Sequence, residues 1–191
     1  GTLLLTCAWL VINTTFMFYD DEGYLLLTYR NFIEGARLYD DVFSQYGPWP
    51  YVYHQLVTTV LHEPLTHMLG RNLTALHWVL CALLCGAIAA RAASRIVVGV
   101  STALVTFGLL WQMNAEPSHP GSMISALIVT AAFAATATHG AARWNWLGVI
   151  LGAAAGLLVL TKINVGLLFV AGAGAGALRL TAWPARWQRP A

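Results

Sequence analysis

The chain has 191 residues, of which 58% are hydrophobic and 9% charged, and its formal net charge is +2. So little polar surface cannot clothe a soluble domain of this length, and the composition predicts an integral membrane protein. No basic patch points to nucleic acid, and in such a chain the distribution of charge says more than its total.

Thr2 to Phe18 is an uncharged apolar run, read as a first transmembrane helix rather than a signal-peptide core. The start at Gly1 and the end at Ala191 lead us to expect the N-terminal part of a longer membrane protein. Six of the eight carboxylates then fall between Asp20 and Asp41, in Tyr19-Asp20-Asp21-Glu22-Gly23-Tyr24 and Leu38-Tyr39-Asp40-Asp41-Val42-Phe43. Acids at the mouth of a membrane helix stand where water meets lipid.

Leu25, Leu26, Tyr29, Phe32, Ile33 and Ala36 recur at helical spacing, which predicts an amphipathic helix from Asp21 or Glu22 to Gly35. The aromatic stretch from Tyr39 to Tyr53 suits the headgroup layer, and Gly47-Pro48-Trp49-Pro50 breaks the chain. Pro48 to Leu69, interrupted by His54, Gln55, His62, Glu63, Pro64 and His67, is expected as a second surface helix, its histidines serving as interfacial polar residues.

Five further crossings are expected over Leu73 to Ala90, Ile96 to Met113, Met123 to Thr138, Trp146 to Thr161 and Val165 to Leu180. Runs of ~16 residues reach only ~24 Å, so they thin the bilayer or borrow flanking residues. Gly148, Gly152 and Gly156, and again Gly172 and Gly176, predict close helix packing. Cys7, Cys81 and Cys85 lie in apolar runs and read as small buried side chains.

Charge sets the topology. With residues 20–70 as an outer loop, Arg91, Arg95, Arg143, Arg179, Arg186 and Arg189 fall on the cytoplasmic side and every acid falls outside, together with Arg30, Arg37, Arg71 and Lys162. The expected fold is all-α: a polytopic transmembrane helical bundle with six crossings, both ends cytoplasmic, and two interfacial amphipathic helices in the first outer loop. It forms a single module over 1–191, with helices after the outer loop over 71–180 and a tail over 181–191.

Asp21-Glu22-Gly23-Tyr24, a helix ending at Gly35, then Tyr39-Asp40-Asp41 and Tyr46-Gly47-Pro48 together resemble the first outer loop of GT-C superfamily glycosyltransferases. This group includes the protein O-mannosyltransferases and the lipid A aminoarabinose transferases. Glu116-Pro117-Ser118-His119-Pro120-Gly121 and Thr161-Lys162-Ile163-Asn164 are similar to outer-loop motifs of its bacterial members. The later helices and soluble C-terminal domain of the family have no counterpart in these 191 residues. The resemblance implies inverting transfer of a sugar from a polyprenyl-phosphate donor to a glycan, lipid or protein acceptor, at the extracytoplasmic face of the plasma (inner) membrane.

The resemblance gives Asp21 the role of general base, with Asp20 and Glu22 as alternatives. A carboxylate here equally suits a helix cap, and the two roles are compatible. Asp41, Asp40 and Tyr46 are candidates for positioning donor or acceptor, with a solvated loop acid as the plain alternative for Asp41. Lys162, Arg71 and His119 are candidates for holding the departing phosphate, although Arg71 and Lys162 could instead snorkel to headgroups and His119 could bond within its loop. No cofactor and no metal ligand set is predicted; a divalent cation at the adjacent acids stays an open alternative. A polytopic transporter or lipid flippase is the other reading, but its acids belong near the midplane of helices.

Overall fold

The computed structural model describes residues 1–14, 21–114, 116–137 and 143–182. They contain eight helices: α1 (Thr2–Thr14), α2 (Asp21–Ile33), α3 (Trp49–Leu61), α4 (His67–Ala93), α5 (Ile96–Trp111), α6 (Pro120–Ala137), α7 (Arg143–Thr161) and α8 (Ile163–Ala182). No strand occurs among the described residues, only an isolated bridge between Leu38 and Val42. The expected first helix runs to Phe18, and its last part lies outside the described residues.

Local chemistry explains the boundaries. Asp21 and Glu22 occupy the first turn of α2 and Arg30 its last, each sign complementing the helix dipole. Gly35 then takes φ +106, a left-handed conformation that suits glycine and turns the chain. Pro50 falls in the first turn of α3, where its missing N–H costs nothing.

The second surface helix is shorter than the sequence suggests. His62 is left-handed, at φ 55, and Pro64 disfavours helix for the residue before it, so Pro48 to Leu69 is split. His67, Met68 and Leu69 belong instead to α4, capped by the Thr66 hydroxyl, which accepts from the Leu69 N–H at 3.2 Å. His54 is also not an interfacial residue. It is 6% exposed, its Nδ1 lies 2.7 Å from the Pro50 carbonyl, and its ring stacks on Tyr29 at 4.3 Å between centroids. The α2 face of Leu25, Leu26 and Tyr29 meets Tyr51 of α3 here, so burying the aromatic pair outweighs leaving a neutral imidazole in water.

Beneath this platform α4 is the central element. Ala75, Trp78, Val79 and Ala82 pack with Ala8 and Ile12 of α1 and Phe107 of α5. Gly86 and Gly99 let α4 and α5 touch: a Cβ on Gly86 would meet the Gly99 carbonyl oxygen at 2.7 Å. The glycine repeats singled out from sequence make no such approach. Nothing lies within 4 Å of a Cβ built on Gly148, Gly152, Gly156, Gly172 or Gly176, so among the described residues they mediate no packing.

Alternating helices bring the α3–α4, α5–α6 and α7–α8 links to one end of the bundle, beside α2 and α3. Contacts fasten that end: Arg71 to Glu22, the Ser118 N–H to the Thr74 hydroxyl, and the Gly47 N–H to the Thr161 carbonyl at 2.9 Å. The seven described acids all lie there, and Asp20 falls outside the described residues. Arg91 is twenty residues further along α4 than Arg71, about 30 Å away at 1.5 Å per residue, with its guanidinium 4.5 Å from the Phe133 ring. Among the described residues one helix, α4, is long and apolar enough to cross a membrane, and the described apolar parts of α1 and α5 to α8 are shorter.

Candidate functional site

A cavity of about 200 Å³ opens at the fastened end, lined by Asp21, Tyr24, Leu25, Ser44, Gln45, Tyr46, Tyr51, Glu116 and His119. Four separate segments build it. The first turn of α2 supplies Asp21 and Tyr24, the loop before α3 supplies Ser44 to Tyr46, α3 supplies Tyr51, and the α5–α6 link supplies Glu116 and His119.

The loop is held from several sides. Tyr24 donates its hydroxyl to the Phe43 carbonyl at 2.9 Å, Tyr39 donates to the Tyr46 carbonyl at 3.0 Å, and the Tyr46 N–H donates to the Ser44 hydroxyl at 3.0 Å. Gly47 lies so close to the Leu160 carbonyl that no Cβ fits between them. Tyr46 is thereby placed with its hydroxyl 2.7 Å from His119 Nε2 and its ring 5.6 Å from Lys162 Nζ, within cation–π reach.

Electrostatics follow from this crowding. Burial raises the Tyr46 phenol above its ordinary value, with the Glu116 and Asp21 carboxylates adding to the effect. Burial lowers the His119 imidazole; Glu116 opposes this, Lys162 adds to it, and Asp21 opposes it. Glu116 Oε2 stands 3.9 Å from His119 Nε2. Asp21 makes no ion pair among the described residues.

The sequence candidates separate. Asp21, Tyr46 and His119 share the cavity, and Lys162 sits behind Tyr46. Glu22, an alternative base, is 4% exposed and bonded to Arg71, with Nη2 to Oε2 at 2.7 Å and Nε to Oε1 at 2.9 Å. Each therefore occupies the other: Arg71 meets a carboxylate rather than a phosphate. Asp40 and Asp41 lie outside the cavity lining, where Arg37 holds them at 3.4 and 3.1 Å. Bonds from Arg37, first through its side chain and then its backbone, keep the Asp41 carboxyl below the usual carboxylate value. Asp20 lies outside the described residues.

Sequence reading did not single out Glu116, Gln45, Tyr24 or His77 as site residues. Glu116 had a signal, as an acid in a proline-bounded link between apolar runs. His77 had one too, being a histidine within the Leu73 to Ala90 run; it sits 3.0 Å from the Tyr53 hydroxyl and 3.2 Å from the Ser122 hydroxyl. No group of three or more histidine, cysteine or acidic side chains among the described residues is arranged to hold a metal ion. No protein-family model matches the chain, and no curated protein or solved structure matches it.

Proposed function

We propose that the chain is the catalytic end of a multi-pass membrane glycosyltransferase, which moves a sugar from a polyprenyl-phosphate donor to an extracytoplasmic acceptor with inversion. One observation carries this reading: Asp21, Tyr46 and the Glu116/His119 pair, from three distant parts of the sequence, converge on one cavity, with Lys162 beside it. A membrane setting is supported by apolar side chains left exposed, such as Val97, Val105 and Leu109 of α5 and Leu167 and Leu168 of α8. Six crossings in the inner membrane, with the cavity outward, agree with the acids at one end and Arg91 and Arg95 at the other.

In the proposed reaction an acceptor hydroxyl attacks the anomeric carbon from the face opposite the phosphate, and its proton passes to the Asp21 carboxylate. The bond from the anomeric carbon to the phosphate oxygen breaks with its electron pair, leaving polyprenyl phosphate. Lys162 supplies positive charge for that leaving group, since a fixed cation in a partly dry site stabilises developing anionic charge. The transporter reading draws less support, because the described acids gather at one end of the helices rather than midway along them.

The test is transfer of labelled sugar from a polyprenyl-phosphate donor by membranes containing the full-length parent. Asp21→Asn should lower the rate about a hundredfold or more, the usual scale for a lost general base. Full activity in that variant would sink the mechanism.

A further inference from the structure

Two hydrogen-bond chains meet at His119, and their donors and acceptors can be assigned by elimination. The Gly121 N–H donates to His119 Nδ1 at 3.0 Å, so Nδ1 carries no proton. In a neutral ring the hydrogen then sits on Nε2, which faces the Tyr46 hydroxyl oxygen at 2.7 Å. Tyr46 therefore accepts there, and its own hydrogen is free to point elsewhere.

The second chain fixes the backbone that carries His119. Ser122 Oγ donates to the His119 carbonyl at 3.3 Å, so toward His77 Nδ1, 3.2 Å away, it acts as acceptor. His77 is then protonated on Nδ1 and bare on Nε2, which accepts from the Tyr53 hydroxyl at 3.0 Å. Every hydrogen from Tyr53 to the His119 carbonyl is thus committed in one direction.

We infer that His119 is a neutral positioning residue, locked with its proton on Nε2, and that Tyr46 is the group that donates a hydrogen bond to an oxygen of the bound substrate. Protonating His119 on Nδ1 would set a second N–H against that of Gly121. The charged and titratable groups around the ring are Glu116, Asp21, Lys162 and Tyr46, with His77 behind Ser122, and none of them offers Nδ1 an acceptor. His119 is consequently not the cation for a phosphate, and Lys162 holds that place alone among the cavity's neighbours. The tautomer is a property of the fold; that Tyr46 meets a sugar or phosphate oxygen rests on the transferase reading.

Imidazole nitrogen shifts of the full chain, labelled with 15N-histidine and held in lipid nanodiscs, test the first part. His119 should show a protonated Nε2 and a bare Nδ1 at neutral pH and somewhat below the ordinary histidine value of ~6.5. A proton on Nδ1, in either the other tautomer or a charged ring at neutral pH, overturns the assignment. Binding of a panel of citronellyl phosphate hexoses and pentoses tests the second part. His119→Gln places an amide N–H near the old Nε2 and should stay within about twofold of wild type, whereas His119→Asn cannot reach, and it and Tyr46→Phe should each weaken binding about tenfold, the scale of one hydrogen bond. Equal affinity in the Gln and Asn variants, or an unchanged Tyr46→Phe, overturns it. If wild-type protein leaves every member of the panel unbound, the transferase reading falls, and the imidazole spectrum still upholds or overturns the tautomer.

Discussion

Glu22 and Arg71, forty-nine positions apart, form a nearly buried ion pair that fastens the first turn of α2 to the second turn of α4. Arg71 Nη1 also donates to the Ile12 carbonyl at 3.3 Å, so one guanidinium joins α1, α2 and α4. Removing either partner strands a buried charge, which costs about 3 kcal/mol or more. Glu22→Ala and Arg71→Ala should therefore each lower the thermal midpoint in detergent, and the double variant should fall no further than the worse single one. Additive losses would show that the two side chains do not act as a pair.

Asp21 and Asp41 should behave differently. Asp41 is held by Arg37 outside the cavity, whereas Asp21 lines it. In the labelled-sugar assay, Asp41→Asn should keep most of its transfer rate. A loss comparable to that of Asp21→Asn would place the reaction elsewhere.

Gly47 carries a packing role that can be read out directly. Its N–H bonds the Thr161 carbonyl, and an added Cβ would collide with the carbonyl of Leu160. Gly47→Ala should cost about 1–3 kcal/mol, a typical overpacking penalty. It should also expose Tyr46, measurable as faster hydrogen exchange across residues 44–48. Wild-type exchange rates in the variant would mean that the loop does not rest on the α7–α8 turn.

His54 makes the α2–α3 platform sensitive to acid. Burial holds its imidazole at about 4, against 6.5 ordinarily, with the Pro50 carbonyl opposing the shift. The opened state binds more protons between these values, so His54's stabilisation is complete above 6.5 and is lost as pH falls toward about 4. Opening of the platform, followed by limited proteolysis after residue 61, should rise over that window in wild type. His54→Phe, which can still stack on Tyr29, should flatten the profile.

Much of the helical layout was legible because single residues mark it. Acids open α2 and Gly35 turns the chain just after it, whereas α6 begins at Pro120, three residues before the Met123 start expected from sequence. The split between α3 and α4 was missed because the polar run around Pro64 suggests an interfacial face as readily as a break. The cavity was legible only in part. Asp21, Tyr46, His119 and Lys162 are each unusual where they stand, but their meeting depends on how α5 and α6 pack on α4 and α7 on α6, α8 and α3, and no local pattern encodes that. Glycine spacing misled for the same reason: small residues permit close approach without specifying a neighbour.

Topology has its own check, made in a background lacking Cys7, Cys81 and Cys85. Ser118 is buried, so a cysteine there would report poorly; Glu116→Cys is exposed enough to use. A membrane-impermeant maleimide should label Glu116→Cys in intact cells and Ala93→Cys only after permeabilisation. The reverse pattern would invert the proposed orientation.

The bond from Gly47 to Thr161 also sets an order of assembly. Synthesis delivers Asp21, Tyr46 and His119 early, yet the surface that seats the Tyr46 loop arrives only with the end of α7, and Lys162 comes one residue later. Until that turn has left the ribosome, the loop has no floor. A ribosome stalled before residue 160 would carry a chain with every residue that lines the cavity and without Lys162.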